Sequence, residues 1–139
     1  LKDIILFIWQ LPQHLLALLL IRVLGAMETL SRTAIIYWFY EPKNWFGKFF
    51  SGVSLGNYII IKTEDETMIK HENGHSFQSF YLGPLYLLVI GIPSAIGNLW
   101  DRIFHKNWTG EKRNRWYYNR YPEKWADKLG GVNRNEREV

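Results

Sequence analysis

The sequence predicts an α+β fold, mainly helical with a small β element, and three observations carry that prediction. Residues 4–25 and 76–100 are apolar stretches of helical length. One run, VSLGNYIIIK at 53–62, is rich in β-branched residues and flanked by glycine and charge, as a strand is. Just after it, Thr63 followed three residues later by Glu66 forms a capping box, and Glu64, Asp65 and Glu66 place acids where the helix dipole favours them. The 139 residues suit a single domain.

The elements follow in order. IILFIWQLPQHLLALLLIRVLG (4–25) is long enough to cross a bilayer, which takes about 20 residues. Gln10, Pro12, Gln13 and His14 interrupt it, and Arg22 sits near its end. It fits a kinked transmembrane helix, a helix lying in the interface, or a buried core helix. No small-residue cleavage site follows it, so it does not read as a signal peptide. His14 is expected to be a packed or snorkelling side chain. Residues 27–40 (METLSRTAIIYWFY) are expected to be helical and to end before Pro42. PKNWFGKFFSG then reads as a loop with aromatic anchors, 53–62 as a strand and 63–82 as a helix.

SFQSFYLGPLYLLVIGIPSAIGNLW (76–100) carries no charge. Gly83-Pro84 breaks it, and Gly91, Pro93 and Gly97 break it again. Two short helical pieces are expected, Leu85–Ile90 and Ser94–Phe104, forming a shallow hairpin in the membrane or the floor of a core. A basic loop is expected at 105–115. A last helix starts at Pro122, which suits a first helical position, and stops at Gly130-Gly131. The chain thus divides into a hydrophobic membrane-associated helix (1–26), a core (27–132) with 76–100 re-entrant or buried, and a loose polar tail (133–139).

Composition narrows the chemistry. There is no cysteine, so disulfides, thiolate metal sites and cysteine nucleophiles are excluded, and any metal must be held by His, Asp or Glu. Seven tryptophans and eight tyrosines suit an interface that is apolar at one end and wet at the other, including the bilayer surface. The net charge of +4 lies entirely beyond residue 100. KNWTGEKRNR (106–115) reads as a solvated basic loop, and no nucleic-acid motif accompanies it.

The chemistry points to MIKHENGHSFQSF (68–80). On one helix His71 and His75 lie a turn apart, with Cβ atoms about 5–6 Å from each other. Both imidazoles can then converge on one zinc ion. Glu72 projects about 100° round the helix, beside an open coordination position, where a general base takes a proton from zinc-bound water. Gly74 inside the helix costs about 1 kcal/mol relative to alanine, which suggests that another backbone passes close by. A catalytic zinc site needs a third protein ligand. Gln78 and Tyr81 stand where a metzincin needs glycine and histidine. Asp101 in NLWD is a second possibility, without the flanking pattern of the site-two-type intramembrane proteases. YPEKWADKLGGV (121–132) is the best candidate. Glu123 can be the ligand, and Asp127, four residues on, can accept a hydrogen bond from the far nitrogen of a ligating histidine. Ala126 is small enough to let the two helices pack tightly.

HExxH followed by ExxxD on a later helix resembles the gluzincins. Glu123, Ala126, Asp127 and Gly130, read as ExxADxxG, are similar to the zinc-binding helix of the membrane metallopeptidases of the CAAX prenyl protease and HtpX type. The resemblance covers residues 53–82 and 121–132. It implies a zincin-like core with the HExxH helix packed on a Glu-bearing helix. His71, His75 and Glu123 would then be zinc ligands, Glu72 the base and Asp127 the partner of a ligand. The strand at 53–62 would be the edge on which an extended substrate lies. His105, Tyr117, Tyr118 and Arg120 can each donate to the oxyanion; the sequence does not rank them. The expected function is a membrane-associated zinc metallopeptidase acting on a peptide or protein substrate. The alternative is a non-catalytic helical membrane or interaction protein with a structural or vestigial metal site, its fourth position filled, for instance, by His105.

Overall fold

The computed structural model describes residues 1–29, 35–38, 51–62 and 65–134. The fold is mainly helical with one small sheet. Helices α1 (Lys2–Trp9) and α2 (Leu11–Leu24) meet at 75°. Strands β1 (Met27–Thr29), β2 (Ile35–Trp38), β3 (Gly52–Leu55) and β4 (Tyr58–Ile61) form a sheet in the order β1-β2-β4-β3. The β2–β4 pair is parallel and the other two pairs are antiparallel. Helices α3 (Glu66–Leu82), α4 (Ile92–Phe104), α5 (Gly110–Tyr118) and α6 (Glu123–Gly130) follow.

The strand expected at 53–62 is a hairpin. Gly56, at φ 65°, turns the chain between β3 and β4, and a Cβ there would sit 2.3 Å from the His14 ring. Central β4 is buried on both faces, which explains its unbroken Ile59-Ile60-Ile61 run. Ile60 packs with Leu24 of α2, while Ile59 and Ile61 meet Met68 and Ile69 of α3. The sheet therefore lies between α2 and α3, and it leaves β3 as the edge beside α3.

Several expectations change. Within 27–40, Met27–Thr29 and Ile35–Trp38 are strands, not helix. Ile35-Ile36-Tyr37-Trp38 is a β-branched and aromatic run, and its parallel partner β4 lies more than twenty residues away. Residues 30–34 and 39–50, with most of the expected aromatic loop, lie outside the described residues, as do Thr63, Glu64 and the last five residues of the tail. Helix α3 is capped by Asp65, whose carboxylate accepts from the Thr67 N–H at 3.1 Å.

The break at Gly83-Pro84 is present as a short 3₁₀ turn, Gly83–Leu85. The second expected break is absent. A π-helical turn (Leu87–Gly91) runs directly into α4, so Leu87–Phe104 is one helix of 18 residues, long and apolar enough to cross a membrane. A widened turn accommodates Pro93, which has no N–H to give the preceding turn. The expected basic loop at 105–115 is largely helix α5, capped by Thr109, whose hydroxyl accepts from the Lys112 N–H at 3.3 Å. Helix α6 ends, as expected, at a left-handed Gly131 (φ 72°).

The apolar segments face outward. Ile4, Leu19, Leu88 and Ile96 are each about 60% exposed, whereas Gln13 and His14 are fully buried. His14 is a packing residue, stacked on Phe7 and accepting from the Asn57 N–H at 3.3 Å through Nε2. No residue of α1 is buried, and of the apolar residues of α2 only Ala17 and Leu24 are fully buried, each packed against the hairpin.

Candidate metal centre

Helices α3 and α6 pack antiparallel with backbones nearly touching. A Cβ on Gly74 would lie 1.9 Å from the Ala126 carbonyl oxygen, and one on Gly130 would lie 1.9 Å from that of Lys70. One turn further along, the Gln78 side-chain N–H donates to the Pro122 carbonyl at 3.2 Å. This approach is what Gly74 and Ala126 announce in the sequence, and it brings four side chains together. Glu123 Oε2 lies 3.0 Å from His71 Nε2 and 3.1 Å from His75 Nε2. The His71 Nδ1–H donates to Asp127 at 2.7 Å. All four are buried.

The protonation pattern follows from the partners. The Asp127 carboxylate only accepts, so His71 carries its proton on Nδ1. The Gln78 amide nitrogen faces a carbonyl, so its oxygen faces His75 Nδ1 at 2.7 Å and that nitrogen also donates. In the neutral imidazoles both Nε2 atoms then present lone pairs to a carboxylate oxygen. Three acceptors facing one point repel unless a cation or proton sits among them. Burial pushes His71 down, but its hydrogen bonds to Asp127 and Glu123 outweigh this and raise it to about 9. Burial alone would raise Glu123, but its bonds to the two histidines hold it far below the usual carboxylate range.

The donor set fits a metal ion. One ligand atom from each of His71, His75 and Glu123 lies within 4.8 Å of the others. A tetrahedral ion with bonds of 2.0–2.1 Å sets its donors about 3.3 Å apart, close to the separations of the two histidines from Glu123. Two hydroxyls steer that carboxylate. Ser94 donates to Glu123 Oε1 at 2.5 Å and Tyr117 at 3.1 Å, leaving Oε2 for the histidines. His75 and Glu123, which flank the 76–100 stretch, and Ser94 within it thus meet at one point.

Glu72 is buried beside this group, and its Oε2 has no hydrogen-bond partner. Burial pushes its carboxyl up, against the pull of His71 and His75. Gly52 on edge strand β3 makes room for it, since a Cβ there would lie 2.6 Å from Glu72 Oε1. A cavity of about 130 Å³ opens onto the group, walled by β3, α3, α4, Tyr117 and Tyr118.

The other sequence candidates separate here. Tyr117 and Tyr118 line the cavity, and Tyr118 lies edge-on to the His71 ring at 5.0 Å. His105 is stacked on Trp108 and paired with Asp101 at 3.2 Å. Asp101 also takes the Arg113 guanidinium, at 3.0 and 2.6 Å, and is not part of the metal-binding group. Arg120 stacks over Trp116. Four supporting residues were not foreseen. Gln78 sits three residues from His75, a spacing legible in the sequence. Ser94, Tyr117 as a carboxylate partner, and Arg134, which donates to Asp127 at 2.5 and 2.8 Å, arrive through tertiary contacts with no local signal. No known protein family, curated protein or solved structure matches this chain.

Proposed function

We propose that this chain is a membrane-associated zinc metallopeptidase of gluzincin type, with a zincin-like core. The observation that carries the reading is the convergence of two histidine nitrogens and a carboxylate on one buried point beside Glu72, whose buried Oε2 has no hydrogen-bond partner. His71, His75 and Glu123 would hold the ion, and Asp127 and Gln78 fix the histidine tautomers. When bound, zinc acidifies a coordinated water and polarises the scissile carbonyl. Glu72 would accept a proton from that water and give it to the leaving amine; burial raises its carboxyl above the usual carboxylate range. Tyr118 is the better donor to the oxyanion, because the Tyr117 hydroxyl is already committed to Glu123. Burial and nearby carboxylates, against the pull of Arg134, push Tyr118 up to about 12, so it keeps its proton at neutral pH. His105, on which a closed structural site would draw, is held by Asp101 and Trp108.

The membrane setting rests on the inverted surface. Apolar side chains of α1, α2, the end of α3 and Leu87–Phe104 point outward, while Gln10, Gln13, His14, Gln78 and Ser79 are innermost. An apolar patch of this extent marks contact with a membrane or another protein, and the helix of spanning length favours the membrane. Metal analysis of the full chain in detergent tests the centre. About one zinc per chain is expected, lost in His71→Ala and retained in Glu72→Gln. Glu72→Gln should abolish peptide hydrolysis, since an amide cannot accept the proton. A Glu72→Gln variant as active as the parent would refute the mechanism, and a parent that binds no zinc would refute the centre.

A further inference from the structure

The spanning-length helix Leu87–Phe104 ends on a sharp change of surface. Trp100, Ile103 and Phe104, near its end, are about half exposed. Asp101 among them is buried, its two oxygens taken by His105 and Arg113. Directly beyond the helix a ladder of rings and cations begins. His105, the C-cap, stacks on Trp108 with centroids 3.7 Å apart and meets Trp116 edge-on at 4.3 Å. Lys112 Nζ lies 4.1 Å over the Trp108 ring, and the Arg120 guanidinium lies 4.3 Å over Trp116. Contact therefore runs unbroken from Lys112 through Trp108, His105 and Trp116 to Arg120.

The cations of this ladder keep their charge for an outside partner. Arg113 and Arg115 are paired, with Asp101 and Glu111. Lys106, Lys112 and Arg120 are exposed and pair with no carboxylate among the described residues. A ring face covers one side of Lys112 and of Arg120 without neutralising either, because the attraction is to a quadrupole. The Lys124 N–H donates to the Arg120 carbonyl at 2.9 Å, so Lys124 lies one helical turn further on and Lys128 a turn beyond it; both are exposed. Within one corner the surface passes from apolar side chains to tryptophans to cations. A bilayer has the same order: hydrocarbon, then the interface that tryptophan favours, then phosphate. A nucleic acid matches the cations but not the exposed Trp100, Ile103 and Phe104 beside them.

We propose that the corner from His105 to Arg120 is a docking surface for anionic phospholipid headgroups, with Lys106, Lys112 and Arg120 on the phosphates and Trp108 and Trp116 at the interface. The inference rests on the membrane reading and adds the class of lipid; it needs neither the metal nor the peptidase reading. The test uses the full chain reconstituted in phosphatidylcholine vesicles. Bromine on a lipid acyl chain quenches nearby tryptophan, so substituting brominated phosphatidylglycerol or brominated phosphatidylcholine for part of the lipid reads which one the protein holds. One cation close to an anionic headgroup is worth about fivefold in affinity. Phosphatidylglycerol should therefore be held at least about fivefold more tightly than phosphatidylcholine at low salt. Lys112→Gln combined with Arg120→Gln should remove the preference, Lys112→Arg with Arg120→Lys should keep it, and added salt should shrink it. Lys70→Gln should leave it unchanged, because Lys70 is already paired with Glu66 at 2.7 Å. Equal holding of the two lipids by the parent, or a preference that survives the double Gln variant, overturns the headgroup surface alone. A labelled oligonucleotide that binds the parent in detergent but not the double Gln variant overturns the choice of lipid over nucleic acid. A chain that does not enter the vesicles at all overturns the membrane reading as well.

Discussion

Gly74→Ala sets two physical effects against each other at the centre of the site. In an exposed helix the change favours the helix by about 0.8–1 kcal/mol. Here the new methyl would lie 1.9 Å from the Ala126 carbonyl oxygen and 2.6 Å from its carbon. Both are backbone atoms, so no side chain can rotate out of the way. Helix α6 must retreat by about 1 Å to restore a tolerable contact. It cannot pivot about its other end, because Gly130 is packed just as closely on Lys70.

The retreat carries Glu123 and Asp127 away from His71 and His75. Zinc–ligand distances tolerate about 0.2 Å, so a shift of about 1 Å takes Glu123 out of reach. Losing a ligand should cost more than losing a ligand's hydrogen-bond partner, which costs about 10–100-fold. Zinc affinity is therefore expected to fall by more than about 100-fold. Overpacking typically costs about 1–3 kcal/mol, which exceeds the helical gain, so the metal-free protein should also melt lower. Competition with a chromogenic chelator reads the affinity, and thermal unfolding of the metal-free chain reads the stability. Gly110→Ala is the control: it lies in α5 with nothing within 4 Å of its added Cβ, and both readouts should be preserved. If Gly74→Ala binds zinc like the parent and melts at the same temperature or higher, the close approach of α3 and α6 is not what assembles the site.

The remaining predictions concern protons and the ligand set. His71 in the metal-free protein is raised from 6.5 to about 9, so its contribution to stability is complete below the unfolded value and is lost as the pH rises through about 9. Zinc must displace this proton, so zinc affinity should climb across the same window and level off above it; denaturant midpoints and chelator competition over that range check both trends. Asp127→Asn should weaken zinc binding by about 10–100-fold, whereas Asp101→Ala should leave the affinity unchanged, because Asp101 serves Arg113 and His105. If the Asp101 change strips the metal and Glu123→Ala does not, the third ligand is misassigned.

The convergence of His71, His75 and Glu123 was legible because it is written in local spacing. His71 and His75 one turn apart, and Glu123 and Asp127 one turn apart, need only helices to become two faces, and both helices announce their ends. Gly74 and Ala126 further indicated that those faces meet. Elements whose identity depends on distant partners were not legible. Ile35–Trp38 becomes a strand by pairing with Tyr58–Ile61, and its β-branched and aromatic composition alone does not name that partner. Helix α5 was hidden by its polar, basic composition, although Thr109 and Glu111 are a start signal on inspection. The continuity of Leu87–Phe104 was hidden because a π-helical turn leaves no mark in the hydrophobic pattern. Ser94 and Tyr117 could not be assigned to Glu123, since each reaches it from a different helix.

If the apolar segments lie against lipid, as proposed, their broken backbone needs partners from within the protein. Each proline in them withholds an N–H from the carbonyl four residues earlier, and lipid offers no replacement donor. For Pro84 that carbonyl belongs to Phe80, and the Trp9 indole N–H donates to it at 3.0 Å. For Pro93 it belongs to Val89, and the Tyr121 hydroxyl donates to it at 2.5 Å. The Gly83 carbonyl, at the turn itself, accepts from the Gln13 amide at 2.6 Å. Ser79 closes the group by donating to Gln10 at 2.8 Å. The polar residues that spoil 4–25 as a simple span thus supply the donors that the broken helix needs. In water, burying these amides while exposing leucines would oppose the hydrophobic effect. In the proposed membrane setting the leucines would cost nothing, and packing with interhelical hydrogen bonds would hold the helices together. Tyr121 directly precedes Pro122 and the Glu123 helix, so the bond that repairs the Pro93 turn also ties α6 to the apolar helix carrying Ser94. Two contacts, Tyr121 to Val89 and Ser94 to Glu123, therefore couple the apolar helix to the carboxylate of the candidate centre.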